Sequence, residues 1–225
     1  MPDMPVIWKD EELSPIRDKV YQYIKQAIVQ GMYKSGERII ERELADQLNV
    51  SRTPIREALF RLESQGFVKT MPRKGVVVSK LSPEEIVEIF TILAALESLA
   101  MKMAAQKVEQ SHRDELKRII EEIDHALAQP VFDLKNRMFH FSINDIIFRA
   151  AQSPRLTQML DSLSDYIRAF AHLGYELPGR MRKAAEEHRE MAVAVLNGYG
   201  DLAEQLTKIH LENSKKAYME ALERE

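Results

Sequence analysis

One segment, residues 38–75, limits the fold of this chain more than any other: RIIERELADQLNVSRTPIREALFRLESQGFVKTMPRKG. Apolar residues recur at helical spacing from Glu41 to Leu48. Asn49 follows, and asparagine tolerates the left-handed conformation that ends a helix. A second helical pattern begins after Ser51, a favourable N-cap residue, with Pro54 in its first turn. The segment therefore predicts two helices joined by a short turn.

The residues after this second helix predict a hairpin. Gly66 ends the helical pattern, and residues 67–71 and 76–79 then alternate or run apolar, as strands do. Residues 72–75, Pro-Arg-Lys-Gly, form the turn between them. Together the segment predicts a winged helix-turn-helix with a two-stranded wing, a fold that places one helix in the major groove of DNA.

The distribution of charge agrees with DNA binding. The chain has a formal net charge of −3, yet residues 51–80 contain seven basic and two acidic residues, a local net charge of +5. Arg52, Thr53 and Arg56 point away from the apolar stripe near the helix start, where side chains reach base edges and phosphates. The alternative is a solvated basic surface on a winged-helix module that binds protein.

Composition excludes several other classes of protein. The chain has 225 residues and no cysteine, which excludes disulfides, thiolate metal sites and a cysteine nucleophile. The N-terminus lacks the apolar run of a signal peptide, and no stretch approaches the roughly 20 apolar residues that span a bilayer. We therefore expect a cytoplasmic protein with no membrane partner. The predicted division is a flexible N-terminus at 1–12, a DNA-binding domain at 13–79, a linker at 80–83 and a second domain at 84–223.

The second domain is predicted to be entirely helical. Ser82-Pro83-Glu84-Glu85 has the cap, proline and acids of a helix start. One long amphipathic pattern follows, and further helical patterns cover residues 111–128, 131–151, 154–173, 178–197 and 199–223. The fold class is thus mainly α: a winged helix-turn-helix followed by an antiparallel all-α bundle, whose interior is a natural place for a ligand.

These patterns resemble a known family. Residues 28–68 and the RKGxxV wing resemble the DNA-binding domain of the GntR family of bacterial transcription regulators. The second domain is similar to the FadR-type (FCD) effector domain, with landmarks at Ala95-Leu96-Glu97, Phe139-His140, Glu187-His188 and His210-Leu211. The two resemblances cover nearly the whole chain.

The resemblance implies roles for particular residues in DNA binding. Gly75 at the wing tip would let the backbone approach the minor groove. For Arg42, a surface ion pair with Glu41 or Asp46 stays open as an alternative. The residues implied to contact DNA are Arg42, Ser51, Arg52, Thr53, Arg56, Arg73, Lys74 and Gly75.

A metal site is also implied. His140, His188 and His210 fall on three different predicted helices, and three imidazoles suit zinc, nickel or a similar divalent ion. Metal-binding members of the family add an aspartate, but Asn136 stands at that position here and offers only a neutral carbonyl oxygen. Histidines that are merely polar core or surface residues remain the alternative.

The implied effector is an anion. Leu93 stands where many carboxylate-binding members have an arginine, one turn before Glu97. We expect Arg168 or Arg180 to substitute for that arginine. A carboxylate or other anion could also bind the metal directly, because three neutral imidazoles leave its charge uncompensated.

The sequence therefore predicts a homodimeric transcription regulator, expected to be a repressor, that binds a pseudo-palindromic operator in double-stranded DNA and responds to a small anionic effector. The alternative is a metal-responsive regulator in which the ion itself is the signal. A metal-dependent enzyme is disfavoured because no catalytic base motif accompanies the histidines.

Overall fold

The first three helices of the chain pack around a single apolar core. A computed structural model describes residues 14–130, 132, 139–170, 174–175 and 177–224. Helix α1 spans Ile16–Val29, α2 spans Glu41–Leu48 and α3 spans Arg52–Ser64. Each helix buries the apolar face that its spacing predicts, and α1 and α3 make the most extensive contact among the three.

The turn between α2 and α3 has the predicted form. Asn49 adopts the left-handed conformation at φ 50° and ψ 47°. The N–H of Val50 donates to the carbonyl of Ala45 at 3.0 Å. Ser51 occupies the N-cap position of α3, but its side chain makes no capping hydrogen bond. The short turn therefore rests on the backbone conformation of Asn49.

The wing contains one strand more than the sequence predicts. Strands β2, Val68–Met71, and β3, Gly75–Val78, form the expected antiparallel hairpin, with Thr70 opposite Val76. A third strand, β1 at Arg38–Ile39, pairs antiparallel with β3, giving the order β1-β3-β2. The predicted hairpin is confirmed, but strand β1 was not predicted because two residues are too short to show an alternating pattern.

A second compact unit begins at Ser82, where the first unit ends at Leu81. In the described residues of this second unit, every regular element is a helix. Helix α9 packs along α4 and α8, while α5 and α6 contact α8 and each other, and α6 also contacts α4. The helices are α4 Pro83–Lys107, α5 Gln110–Ala128, α6 Phe139–Ala150, α7 Pro154–Phe170, α8 Arg180–Leu196 and α9 Gly200–Glu223.

Two helix starts test the sequence patterns closely. Helix α4 begins as predicted, with a complete capping box: Glu85 N donates to Ser82 Oγ at 3.2 Å, and Ser82 N donates to Glu85 Oε2 at 2.8 Å. Helix α8 begins two residues later than the predicted start at 178. Gly179 precedes it at φ 77°, a left-handed conformation outside the helix.

The predicted helix over 131–151 is present as α6 from Phe139, and the end of the predicted helix at 154–173 passes beyond α7. Residues 131, 133–138 and 171–173 lie outside the described residues. In the part of the chain that the structure covers, no helix combines the length and apolarity needed to cross a bilayer.

Candidate functional site

The start of α3 presents the predicted base-reading side chains to solvent. Arg52, Thr53 and Arg56 are exposed, while Ile55 and Leu59 on the opposite side of the helix are buried. This split places the two arginines at the positive end of the helix dipole, where they add to the attraction of phosphate. Helix α3 thus has the form of a recognition helix with its reading end free of the core.

One carboxylate holds both arginines. Glu41, the first residue of α2, accepts a hydrogen bond from Arg56 Nε at 2.8 Å and another from Arg52 Nη2 at 3.1 Å. Both bonds end on the same oxygen, Oε2. The hydrogen bond from Arg56 is the largest cause that lowers the pKa of Glu41, so the carboxylate is charged at neutral pH. Sequence reasoning offered Glu41 only as a partner of Arg42, and the structure pairs it with the recognition helix instead.

The wing carries a basic edge. Arg73, Lys74 and Gly75 are exposed at the β2–β3 turn, with Arg73 at φ 64° and Gly75 at φ 77°. A Cβ at Gly75 would lie 3.7 Å from Nε and Nη2 of Arg38 on β1. Arg38 therefore joins the wing tip, a placement that sequence reasoning missed because it depends on the pairing of β1 with β3.

Arg42 and Ser51, the remaining predicted DNA-contact residues, are also exposed. Within the described residues Arg42 forms no ion pair with Glu41 or Asp46.

The helical unit contains a cavity of about 40 Å³ with a mixed apolar and polar lining. A single water needs roughly 10–15 Å³ measured in this way, so the space suits an ion with water or a small ligand. Leu93 and Phe90 supply part of its apolar wall. Its main polar side chains are Glu97, Asn144, Arg180, His188, His210 and Ser214.

Two of the predicted metal ligands meet in this cavity. The rings of His188 and His210 form an edge-to-face pair with centroids 4.2 Å apart. His188 Nδ1 lies 2.8 Å from the Ala184 carbonyl, and His210 Nδ1 lies 2.7 Å from Glu187 Oε2. Both oxygens can only accept, so each Nδ1 carries the proton and Nε2 of a neutral ring carries the lone pair. Burial lowers the pKa of His210, which keeps that ring neutral.

Glu187 is the centre of a buried polar network. Besides His210, it accepts hydrogen bonds from Arg180 Nη1 and Nη2, each at 3.0 Å, and from Asn213 Nδ2 at 2.8 Å. Burial alone would raise the pKa of Glu187, but these partners together lower it. The network fixes both the His210 tautomer and the Arg180 side chain. The sequence marked Glu187 only as a family landmark.

Arg180, predicted as an effector ligand, lies in the cavity wall and is only 8% exposed. Its Nη2 also donates to Ser214 Oγ at 2.8 Å. Its buried Nε has no hydrogen-bond partner in the described residues. Arg168, the other predicted substitute, lies near the end of α7 and is not among the residues that line the cavity.

On the far wall, Asn144 Nδ2 donates to Glu97 Oε1 at 3.3 Å. The buried Oδ1 of Asn144 has no partner in the described part of the chain. Burial raises the pKa of Glu97 to about 8, so its carboxyl is mainly protonated at neutral pH. Asn144 and Ser214 were missed from the sequence, since neither residue type nor spacing marks them.

The remaining predicted ligands are only partly covered. His140 lies on α6, but its side chain is outside the described residues, as is Asn136. In the described ranges, no three His, Cys, Asp or Glu side chains are grouped to hold a metal ion.

Comparison with known families accounts for both units. The model of "Bacterial regulatory proteins, gntR family" matches residues 16–78, and that of the FCD domain matches residues 88–213. The chain belongs to the GntR family of transcription regulators with a C-terminal FCD domain. It is a DNA-binding regulator and not an enzyme, as the resemblance of its motifs implied.

Several relatives are similar over nearly the whole chain. The HTH-type transcriptional regulator YdhC of Bacillus subtilis is 26% identical over 96% of this chain and 96% of its own. A "Probable D-xylose utilization operon transcriptional repressor" of Paenarthrobacter nicotinovorans is 29% identical over 87% of this chain and 85% of its own.

The HTH-type transcriptional repressor RspR of Escherichia coli is 21% identical, covering 88% of this chain and 86% of its own. Among solved structures, E. coli McbR/YncC has the same fold, with a TM-score of 0.74 and 22% identity over 92% of this chain and 99% of that one.

Proposed function

We propose that this GntR/FCD regulator is a repressor whose affinity for a pseudo-palindromic operator is controlled by a small anion bound in the cavity of the helical unit, at a divalent metal ion. Two relatives named as repressors, those of P. nicotinovorans and RspR, support the direction of regulation. An effector acts by binding one conformational state more tightly than another, which shifts the population that binds DNA.

The observation that carries the proposal is the orientation of the two histidines. Hydrogen bonds from Nδ1 of His188 and His210 leave each Nε2 as the nitrogen able to ligate a metal. This donor pair fits zinc or nickel, and His140 and Asn136 are the predicted additional ligands. When bound, the ion would supply the positive charge that attracts an anion.

Arg180 supports an anionic effector. Its charge is compensated by Glu187, so the guanidinium can remain buried without a ligand. Its unpartnered Nε still offers a hydrogen-bond donor in the cavity wall, and Asn144 Oδ1 offers an acceptor. An anion that also carries a hydroxyl or protonated group would satisfy both atoms.

A second candidate is a regulator for which the ion itself is the signal. The cavity volume of about 40 Å³ supports this candidate too, because an ion and its water fit within it. The two candidates are separated by measuring operator affinity with zinc or nickel alone and then with small carboxylates added. Only the first requires the carboxylate for release of DNA.

Metal content and titration calorimetry test the site directly. Protein purified without chelator should hold one ion per chain, and His188→Ala should lose it. Asn136→Asp should bind the metal more tightly but small carboxylates more weakly, because an added carboxylate ligand compensates the charge of the ion. Full occupancy in His188→Ala, or no binding by wild type at saturating zinc or nickel, would show that the histidines are only a polar core cluster.

A further inference from the structure

The two arginines at the reading end of α3 are not independent side chains. Arg52 and Arg56 lie one helical turn apart, and both donate to Oε2 of Glu41 on α2. The arginine side chains are 55% and 62% exposed, and Glu41 is 27% exposed. Exposed ion pairs contribute little to folding stability, so stability does not explain why one carboxylate holds both.

The donors that Glu41 occupies differ between the two arginines. Arg56 is held through Nε, the nitrogen nearest its aliphatic stem. Its two terminal amino groups remain available as a fork, the geometry that pairs with O6 and N7 of guanine. Arg52 is held through one terminal nitrogen, Nη2, which leaves Nη1 and Nε to donate elsewhere.

The negative charge of Glu41 also affects which groups the arginines bind. Glu41 compensates one of the two positive charges at this end of the helix. A phosphate bound by the remaining donors would lie near the carboxylate of Glu41 and be repelled by it, whereas the edge of a base is neutral. A base-edge contact made by the remaining donors allows the ion pairs to persist.

We propose that Glu41 is a positioning residue that determines specificity: it holds Arg52 and Arg56 in a base-reading arrangement and disfavours their use on phosphates of non-cognate DNA. This inference rests on the base-reading role predicted for the arginines, which Arg52→Ala tests separately. Glu41 itself need not touch DNA.

Glu43 provides a matched control. It is the other acidic residue in the first turn of α2, is exposed, and has no hydrogen bond to Arg52 or Arg56 among the described contacts. Glu41→Ala and Glu43→Ala each remove one negative charge from the same helix end. Any difference between the variants therefore reports the contact with the arginines and not the change in net charge.

The experiment compares two duplexes, one selected by the wild-type protein from random DNA and one with the same composition in scrambled order. Fluorescence anisotropy gives the Kd for each over a range of salt concentrations. We expect Glu41→Ala to bind the scrambled duplex several-fold more tightly, with a steeper salt dependence, while its affinity for the selected duplex does not improve. The affinity of Glu41→Ala for the selected duplex, divided by its affinity for the scrambled duplex, should fall roughly tenfold, as expected from the loss of about one base contact. Glu43→Ala should keep the wild-type ratio within about twofold.

A third variant separates the charge of Glu41 from the reach of its side chain. Glu41→Asp keeps the charge but shortens the side chain by one methylene, so it should lower affinity for the selected duplex without tightening the scrambled one. Circular dichroism melting checks that each variant folds. The proposal would be overturned if Glu41→Ala and Glu43→Ala had the same ratio of affinities for the selected and scrambled duplexes. It would also be overturned if Glu41→Asp and Glu41→Ala both kept the wild-type ratio. If Arg52→Ala also lowers the affinities for the two duplexes equally, the base-reading role of the arginines fails as well. If it does not, only the role of Glu41 fails.

Discussion

At the scale of single residues, the predicted base reading by the first unit depends on the exposed arginines that begin α3. Their positions follow from helical spacing, since Pro54 and Ile55 between them are buried while Thr53 shares their exposed side. Their partner Glu41 belongs to a different helix, so the hydrogen bonds from both arginines to Glu41 form only after α2 and α3 pack together. In this proposal, base reading is a property of three residues and not of the recognition helix alone.

Replacing Arg52 with alanine tests the reading role. We expect a loss of about 1–3 kcal/mol in binding to the selected duplex, the usual value of a bidentate base contact, and a smaller loss on scrambled DNA. Arg61→Ala is the control, because Arg61 lies at the other end of α3 and pairs with Asp18. Equal losses on both duplexes would mean that Arg52 contacts only phosphate.

In the second unit, the buried carboxyl of Glu97 should make stability depend on pH. Its pKa is raised to about 8 in the folded protein from an ordinary value of 4.5, so the folded state holds a proton that the unfolded state releases. The contribution of Glu97 to the free energy of unfolding is fully present below about pH 4.5. It is lost as pH rises through about 8, at up to roughly 1.4 kcal/mol per pH unit.

Glu97→Gln should remove this dependence, because the amide is neutral throughout. We expect the Tm of the variant to exceed that of wild type at about pH 8 and to approach it at about pH 5, as measured by circular dichroism. A constant difference between the two proteins across this range would show that Glu97 does not titrate as described.

At the scale of elements, two serines occupy N-cap positions with different hydrogen bonding. Ser82 caps α4 in a complete capping box, whereas Ser51 precedes α3 without a side-chain capping bond. Ser82→Ala should therefore destabilise its unit by about 1 kcal/mol. Ser51→Ala should cost clearly less. Calorimetric melting of both variants checks the order, and a larger effect at Ser51 would contradict it.

The wing and the start of α8 show how elements depart from local patterns. Strand β1 has only two residues, and its pairing partner β3 lies far along the chain, with Arg38 opposite Val77, 39 positions later. Such long-range pairing leaves no local signal. At α8, the sequence Pro178-Gly179 is compatible with both a turn and a helix start. The positive φ of Gly179 places these residues before the helix.

At the scale of the whole molecule, we expect a homodimer. One recognition helix reads only a few base pairs, and two-fold pairing extends the site to a pseudo-palindrome. Helix α4 exposes Ile92 and Leu99, which lie seven residues apart and so on one side of the helix. We expect a second copy to contact this apolar stripe.

Light scattering at micromolar concentration should give twice the 26.0 kDa chain mass. Leu99→Glu should weaken the dimer, while Met159→Glu, at another exposed apolar residue on α7, should not. A monomer mass for wild type, with and without DNA, would refute the dimer. An unchanged dimer in Leu99→Glu would place the interface elsewhere.

The sequence by itself determined the order of the helices, the winged helix-turn-helix, the helical second domain and the family. These features depend on helical spacing, caps and turn residues that act within a few positions of one another. Tertiary structure decided which side chains meet. Glu41 joins Arg52 and Arg56, Glu187 orients His210, and Asn144 faces Glu97, because packing brings residues from separate helices within hydrogen-bond distance. No spacing in the sequence encodes those distances.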